Sequence, residues 1–161
     1  MRANMIRISM LAIGLAATPA ILAAQDNSIA GVWNVTVTVK NCQTNALITT
    51  VHSLQMFLRD GSMIETANTA SRGISVGAWT HAEGQTYQGA FSFFRYKPDG
   101  TFGGIGKAVE TIKVSNDGSQ FAASGTIQDY DSKNALTSTA CFTHAATRQP
   151  DASALSPAQS K

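Results

Sequence analysis

From residue 31 onward the chain alternates apolar and polar side chains. Trp33, Val35, Val37 and Val39 take the odd positions, and Asn34, Thr36, Thr38 and Lys40 the even ones. A period of two is the mark of a strand with one buried face. The same texture returns between repeated turn signals. Arg59-Asp60-Gly61-Ser62, Lys97-Pro98-Asp99-Gly100 and Asn116-Asp117-Gly118-Ser119 each set Asp-Gly between apolar runs, and glycine there supplies the positive φ that a tight hairpin needs. Softer turns fall at residues 43–45, 82–85 and 131–134. The turns delimit eight expected strands, at about 31–41, 47–58, 62–68, 74–81, 86–96, 101–115, 119–130 and 135–148. Residues 105–114 are the nearest approach to a helical period, but Ile105, Val109, Thr111, Ile112 and Val114 are β-branched and favour a strand.

Short connections imply that each strand pairs with its sequence neighbour. The expected fold is therefore all-β: an eight-stranded antiparallel up-and-down barrel, whose closure removes exposed edges. A two-sheet sandwich is the alternative, and it needs longer crossings than the sequence provides. Closure can be examined through parity. On the last strand Phe142, His144, Ala146 and Arg148 share one face, and Thr137, Thr139, Cys141 and Thr143 the other. If Cys42 faces Cys141, then Val35 faces Arg148 and Trp33 is its diagonal neighbour. Both cysteines then fall on the outer, polar face and Trp33 on the inner one, so a Cys42–Cys141 disulfide and a Trp33–Arg148 closure follow from one register.

The first residues read differently. Arg2 and Arg7 precede an apolar run over residues 8–17, and small residues from Ala16 to Ala24 follow. Charge, short apolar core and small-residue exit make the secretory pattern. The expected organisation is a signal peptide at 1–24, a barrel domain at 25–148 and a disordered tail at 149–161, with an uncleaved anchor as the alternative at the N-terminus. The protein is expected in the periplasm or outside the cell, with no membrane span after cleavage. Charge then changes the picture. The whole chain has 12 basic and 10 acidic residues, and losing Arg2 and Arg7 leaves the mature chain neutral. A neutral surface lacks the electrostatic footprint of a nucleic-acid binder. Charged residues make up only 14% of the chain, below the usual quarter or so.

Gly31-Val32-Trp33 near the mature start, with Arg148 on the last strand, resembles the Gly-x-Trp and closing-Arg arrangement of the calycin superfamily, which includes the lipocalins. The resemblance implies a barrel in which the arginine packs across the tryptophan at the closed end. It covers these three residues and the meander topology; the further lipocalin motifs and the C-terminal helix are absent. Small barrel cyclases of the allene oxide cyclase group are a competing structural relative, without specific residue matches. Residues 94–102 also resemble a stretch of short secreted bacterial proteins.

Candidate chemistry is sparse. His52, His81 and His144 have no metal-ligand spacing, so neither a metal nor another cofactor is expected. His144 has inward parity beside Phe142; it is either a hydrogen-bonded core residue or an acid–base group. Glu110 shares a face with Phe94, Tyr96, Phe102, Ile112 and Val114 if Lys97 pairs with Thr101. A carboxylate so placed could act as acid, base or ligand anchor. The opposite face carries Tyr87, Phe91, Phe93 and Arg95, and either can be the inner one; an inward Arg95 would suggest an anion site. No nucleophile elbow occurs, and Gly103-Gly104-Ile105-Gly106 lacks the helix a phosphate loop requires. Trp79, Phe94, Tyr96, Phe102 and Phe142 either line a pocket or fill the core. The leading expectation is that the barrel binds a small, largely apolar molecule. The alternatives are a cofactor-free cyclase, isomerase or lyase using Glu110 or His144, and a packed structural or inhibitory protein.

Overall fold

The computed structural model describes residues 28–150. The expected leader at 1–24, and residues 151–161 of the tail expected at 149–161, lie outside the described residues. Eight strands follow one another: β1 (Gly31–Lys40), β2 (Leu47–Phe57), β3 (Ser62–Ala67), β4 (Arg72–Glu83), β5 (Thr86–Tyr96), β6 (Phe102–Val114), β7 (Gln120–Asp131) and β8 (Leu136–Arg148). Each is hydrogen-bonded to the next, and β8 returns to β1, so the sheet is a closed antiparallel barrel in up-and-down order. No helix occurs among the described residues. The Asp-Gly turns work as their chemistry demands. Gly61, Gly100 and Gly118 have φ of 88°, 80° and 69°, and the preceding aspartates accept the amide hydrogens of Ser62, Thr101 and Ser119.

The two ends of the barrel differ. At the end where β1, β3, β5 and β7 begin, Trp33, Phe57, Met63, Ile112, Val114 and Phe121 form a buried apolar plug. Trp33 is fully buried and its indole N–H donates to Ile29 O at 2.8 Å. Arg148 lies over the Trp33 ring, with its guanidinium carbon 4.2 Å from the ring centroid. The same guanidinium donates to the carbonyls of Gly118, Ala30 and Ser28 at 2.6, 2.6 and 2.5 Å. Gly31 has φ 136°, and a Cβ there would stand 2.5 Å from Arg148 Nη1. The glycine of Gly-x-Trp is therefore where the arginine passes.

Two registers differ from expectation. Along the closing seam Trp33 pairs with Arg148 and Lys40 with Cys141, a slide of two residues from the register in which Cys42 faces Cys141. An even slide preserves every face, so Trp33 still points in. Cys42 lies just past the end of β1, where the chain turns back, and it reaches Cys141 with a Cα separation of 5.0 Å to form the disulfide.

The second difference decides the interior. Lys97 N donates to Thr101 O as expected, but the β5–β6 ladder slips at once: Tyr96 pairs with Phe102 and Arg95 with Gly104. One extra residue in β6 makes a bulge, which exchanges inward and outward positions on that strand. Gly104 carries the distortion at φ 145°, and any Cβ there would collide with Tyr130 O at 1.9 Å. Glu110 therefore shares its face with Tyr87, Phe91 and Phe93. Phe94 and Phe102 point outward, 53% and 44% exposed, and stack edge to face on each other 5.8 Å apart.

The disulfide closes a span of 99 residues, worth up to about 4–5 kcal/mol on a chain-entropy model. Unreduced, urea-unfolded protein should show no thiol accessible to a maleimide dye. The Cys42→Ala/Cys141→Ala variant should still fold but unfold at distinctly lower urea; an unchanged midpoint would show that the seam does not depend on the bond.

Candidate functional site

Opposite the apolar plug, the barrel opens between the β1–β2, β3–β4, β5–β6 and β7–β8 turns into a cavity of about 310 Å³. Its walls are largely apolar: Val37, Val39, Val51, Phe91, Ile127 and Phe142. Polar groups stand deeper and at the rim. Glu65, Arg72 and His144 line it, as do Arg95 and Asp129. A larger, open depression of about 1260 Å³ runs over the outer surface past Thr36, Leu54, Thr66 and Thr147. None of the buried ionisable side chains reaches it.

Glu65 is the hub of one polar cluster. It is 1% exposed and lies directly across the ladder from Gln55 on one side and Ser75 on the other. Gln55 Nε2 donates to its Oε1 at 3.4 Å, and Ser75 Oγ donates to Oε2 at 2.8 Å. Arg72 Nη2 meets Oε2 at 2.5 Å and also donates to Ser75 Oγ. Arg72 and Ser75 are three residues apart and both point inward, because the β4–β5 ladder is irregular between them. Burial pushes the Glu65 carboxyl up, but the Arg72 guanidinium and the Ser75 hydroxyl more than offset this and hold it below the ordinary glutamate range. His144 is close enough to act on the same charge. Burial lowers the Arg72 guanidinium against the pull of Glu65, and an arginine so lowered still remains a cation.

Glu110 and His144 form a second pair. Glu110 Oε2 lies 3.0 Å from His144 Nδ1, and the two side chains are 0% and 2% exposed. The atoms touch without hydrogen-bond alignment, and neither carboxylate oxygen has another partner. Glu110 has glycines across both ladders, Gly89 on β5, which makes room for the carboxylate, and Gly125 on β7, which makes room for the Phe142 ring. A Cβ on Gly89 would stand 3.0 Å from Glu110 Oε1, and one on Gly125 only 2.7 Å from the Phe142 ring. The imidazole is stacked on Phe142, with centroids 4.7 Å apart and planes 28° from parallel. Glu110 thus sits behind His144, and the imidazole alone of the pair reaches the cavity.

At the rim Arg95 does turn inward, but it is committed. Its Nε and Nη2 grip the two Asp129 oxygens at 2.8 and 3.0 Å. Arg72 and Arg95 both place their guanidinium carbons near the Phe93 ring, at 3.7 and 4.7 Å from its centroid. The anion site that an inward Arg95 suggested is therefore neutralised within the protein. Among the described residues, no three His, Cys, Asp or Glu side chains come together to hold a metal ion.

Of the five aromatic candidates, Phe142 alone lines this cavity. Trp79 belongs to the closed end, where it packs on Phe57 and Tyr87 and its indole N–H donates to Leu58 O and Ser62 O. Phe94 and Phe102 are outside, and Tyr96 lies over Gly73 beside Phe94; Phe94 and Tyr96 alternate on β5 with the inward Phe91 and Phe93, and Phe102 pairs with Tyr96 ahead of the bulge. His52 and His81 are exposed, against Thr36 and Gly84 O respectively. Glu65, Arg72, Ser75 and Gln55 were missed from sequence. Parity offered one signal: Glu65 shares a face with Met63, and Gln55 with Phe57.

No family model, no curated protein and no solved structure matches the chain. Its function has to be argued from the cavity itself.

The Glu65 shift fixes a sign. A carboxyl whose folded pKa lies below its unfolded one stabilises the fold above the unfolded value, and that stability fades as pH falls through the folded value. Resistance to urea should weaken below about pH 4, and Glu65→Gln should flatten that loss. At neutral pH Arg72→Met, which strands a buried carboxylate, should cost about 3–5 kcal/mol. A neutral outcome for Arg72→Met would mean that the pair is hydrated.

Proposed function

We propose that this protein is an exported binding protein, holding a small, largely apolar molecule in the barrel mouth with a polar group of that molecule directed at the floor. The observation that carries this reading is the cavity of about 310 Å³, apolar along its walls and polar at its base. Ligand sites are characteristically apolar concavities with a few fixed polar groups, and their volumes begin at about 300 Å³. The molecule is accordingly small. Val37, Val51, Phe91 and Phe142 would cover its body, and Arg72 and His144 would meet its polar end. Arg72 offers Nη1, because Nη2 is bonded to Glu65 and Ser75 and Nε is buried. A carbonyl or carboxylate oxygen fits such a donor; an ammonium group does not.

Export is supported by the Arg2 and Arg7 leader pattern and by the Cys42–Cys141 bond, which an oxidising compartment preserves. Protein recovered from periplasm or medium should have an intact mass lacking about two dozen N-terminal residues. A full-length cytoplasmic species would overturn the compartment.

Binding is tested with N-phenyl-naphthylamine. Its fluorescence should rise saturably with the mature protein and fall when a small ketone competes. Ala140→Phe, at the cavity wall, should weaken binding at least about tenfold while the disulfide still forms. Equal binding by wild type and Ala140→Phe would place the probe elsewhere.

A further inference from the structure

The floor of the cavity holds more than a binding site needs. Polar recognition of one ligand oxygen is satisfied by Arg72. The Glu110–His144 pair adds a fully buried carboxylate behind an imidazole, in a slot opened by Gly89. As packing it is a poor choice, since burying two ionisable groups costs more than burying apolar ones of the same volume. The two ring nitrogens are in different situations. Nδ1 is buried against Glu110, whereas Nε2 hydrogen-bonds no protein group among the described residues. His144 lines the cavity, so Nε2 is the nitrogen that meets whatever lies there. A carboxylate aligned with Nδ1 would hold the proton on that nitrogen and leave Nε2 with its lone pair.

We propose that this floor is an acid–base site, in which His144 Nε2 removes and returns a proton on a carbon next to the carbonyl of the bound apolar molecule. The inference rests on the cavity-binding reading above. The C–H bond breaks and the proton passes to Nε2. The electron pair moves into the new C–C double bond as the carbonyl electrons move onto oxygen, and Arg72 Nη1 faces that developing negative charge. The imidazolium formed is balanced by Glu110 behind it and Glu65 beside it. Return of the proton to the same carbon gives exchange; return to a conjugated carbon further along gives a shifted double bond. Nothing is oxidised or reduced, and no co-reactant is consumed.

The remaining carboxylates do not compete for the role. Glu65 has both oxygens engaged by Gln55, Ser75 and Arg72, which makes it a weak base. Asp129 is held by Arg95 and Ser138. Glu110 is fully buried and touches no ligand, so it is a positioning residue. His144 is the catalytic residue and Arg72 the oxyanion partner. Poor alignment of the Glu110–His144 contact is no obstacle, since such contacts often tighten only when substrate is bound.

The test uses β-tetralone, a small apolar ketone with acidic hydrogens beside the carbonyl, and the mature disulfide-bonded protein in D₂O. Competition with N-phenyl-naphthylamine first establishes that the ketone enters the cavity, and proton NMR then follows exchange. Wild type should exchange these hydrogens at least about 100-fold faster than the same concentration of imidazole. His144→Gln should return exchange to the buffer rate with probe binding retained. Glu110→Gln should lower kcat by about tenfold or more at unchanged KM, a split that general loosening of the fold would not give. Failure of β-tetralone to displace the probe would count against the cavity reading itself. Displacement by β-tetralone with exchange at the imidazole rate would overturn the acid–base site and leave the binding reading standing. If His144→Gln does not fold, that wild-type comparison still decides.

Discussion

Arg148 over Trp33 is the contact on which the rest depends. A cation on an indole face with three backbone carbonyls as acceptors ties the last strand to the lead-in of the first and to the β6–β7 turn. It also covers the apolar plug from outside. Once that end is sealed, the barrel has one opening. A barrel of eight strands is just wide enough for its interior to be filled by side chains or to hold one small ligand. This one does both along its axis: packed aromatics near Trp33, then a polar layer, then space.

The polar layer is where stability is given up. Glu65, Arg72, Glu110 and His144 are all buried or nearly so, in an interior that aliphatic side chains would fill at lower cost. The Glu65 cluster is largely satisfied, and its charge is matched. The Glu110–His144 pair is not, because its atoms touch out of line. Sites where a fold departs from the cheapest packing tend to be functional. That contrast separates the two pairs: Glu65 with Arg72 is a matched ion pair, and His144 is where the proposed proton exchange would take place.

Parity carries far in such a chain, and its failures have a single physical cause. Strand number, turn positions, the disulfide and the inward Trp33, Phe142 and His144 were legible, because β1 and β8 run without a break between these residues. Even the mistaken seam register did no harm, since a slide of two keeps every face. Glu110 was illegible because one unpaired residue near Gly104 reverses the face of all that follows on β6. Asp-Gly marks a turn by its own chemistry, but Gly103-Gly104 gives no local sign of which residue is left out of the ladder. The inward pairing of Arg72 and Ser75 was hidden likewise, by the irregularity in β4. Sequence patterning thus read the regular strands and missed the bulges, and the bulges set the site.

The bulges and the disulfide also explain why the mouth can hold a site with fixed geometry. Open barrel ends are carried by turns, which are the least stable parts of such folds. Here Cys42–Cys141 ties β8 to the β1–β2 turn, and Lys40, the partner of Cys141, adjoins Val39 of the cavity wall. Arg95 grips Asp129 across β6, from β5 to β7, on the same rim. Two cross-links, one covalent and one ionic, therefore brace the rim. Phe142 follows Cys141 directly on β8 and carries the His144 ring on its own. The covalent brace is thus three residues from the imidazole, on a strand whose other end is held by Arg148. The proposed proton acceptor would need its lone pair to stay aimed, and a strand pinned at both ends supplies that constraint.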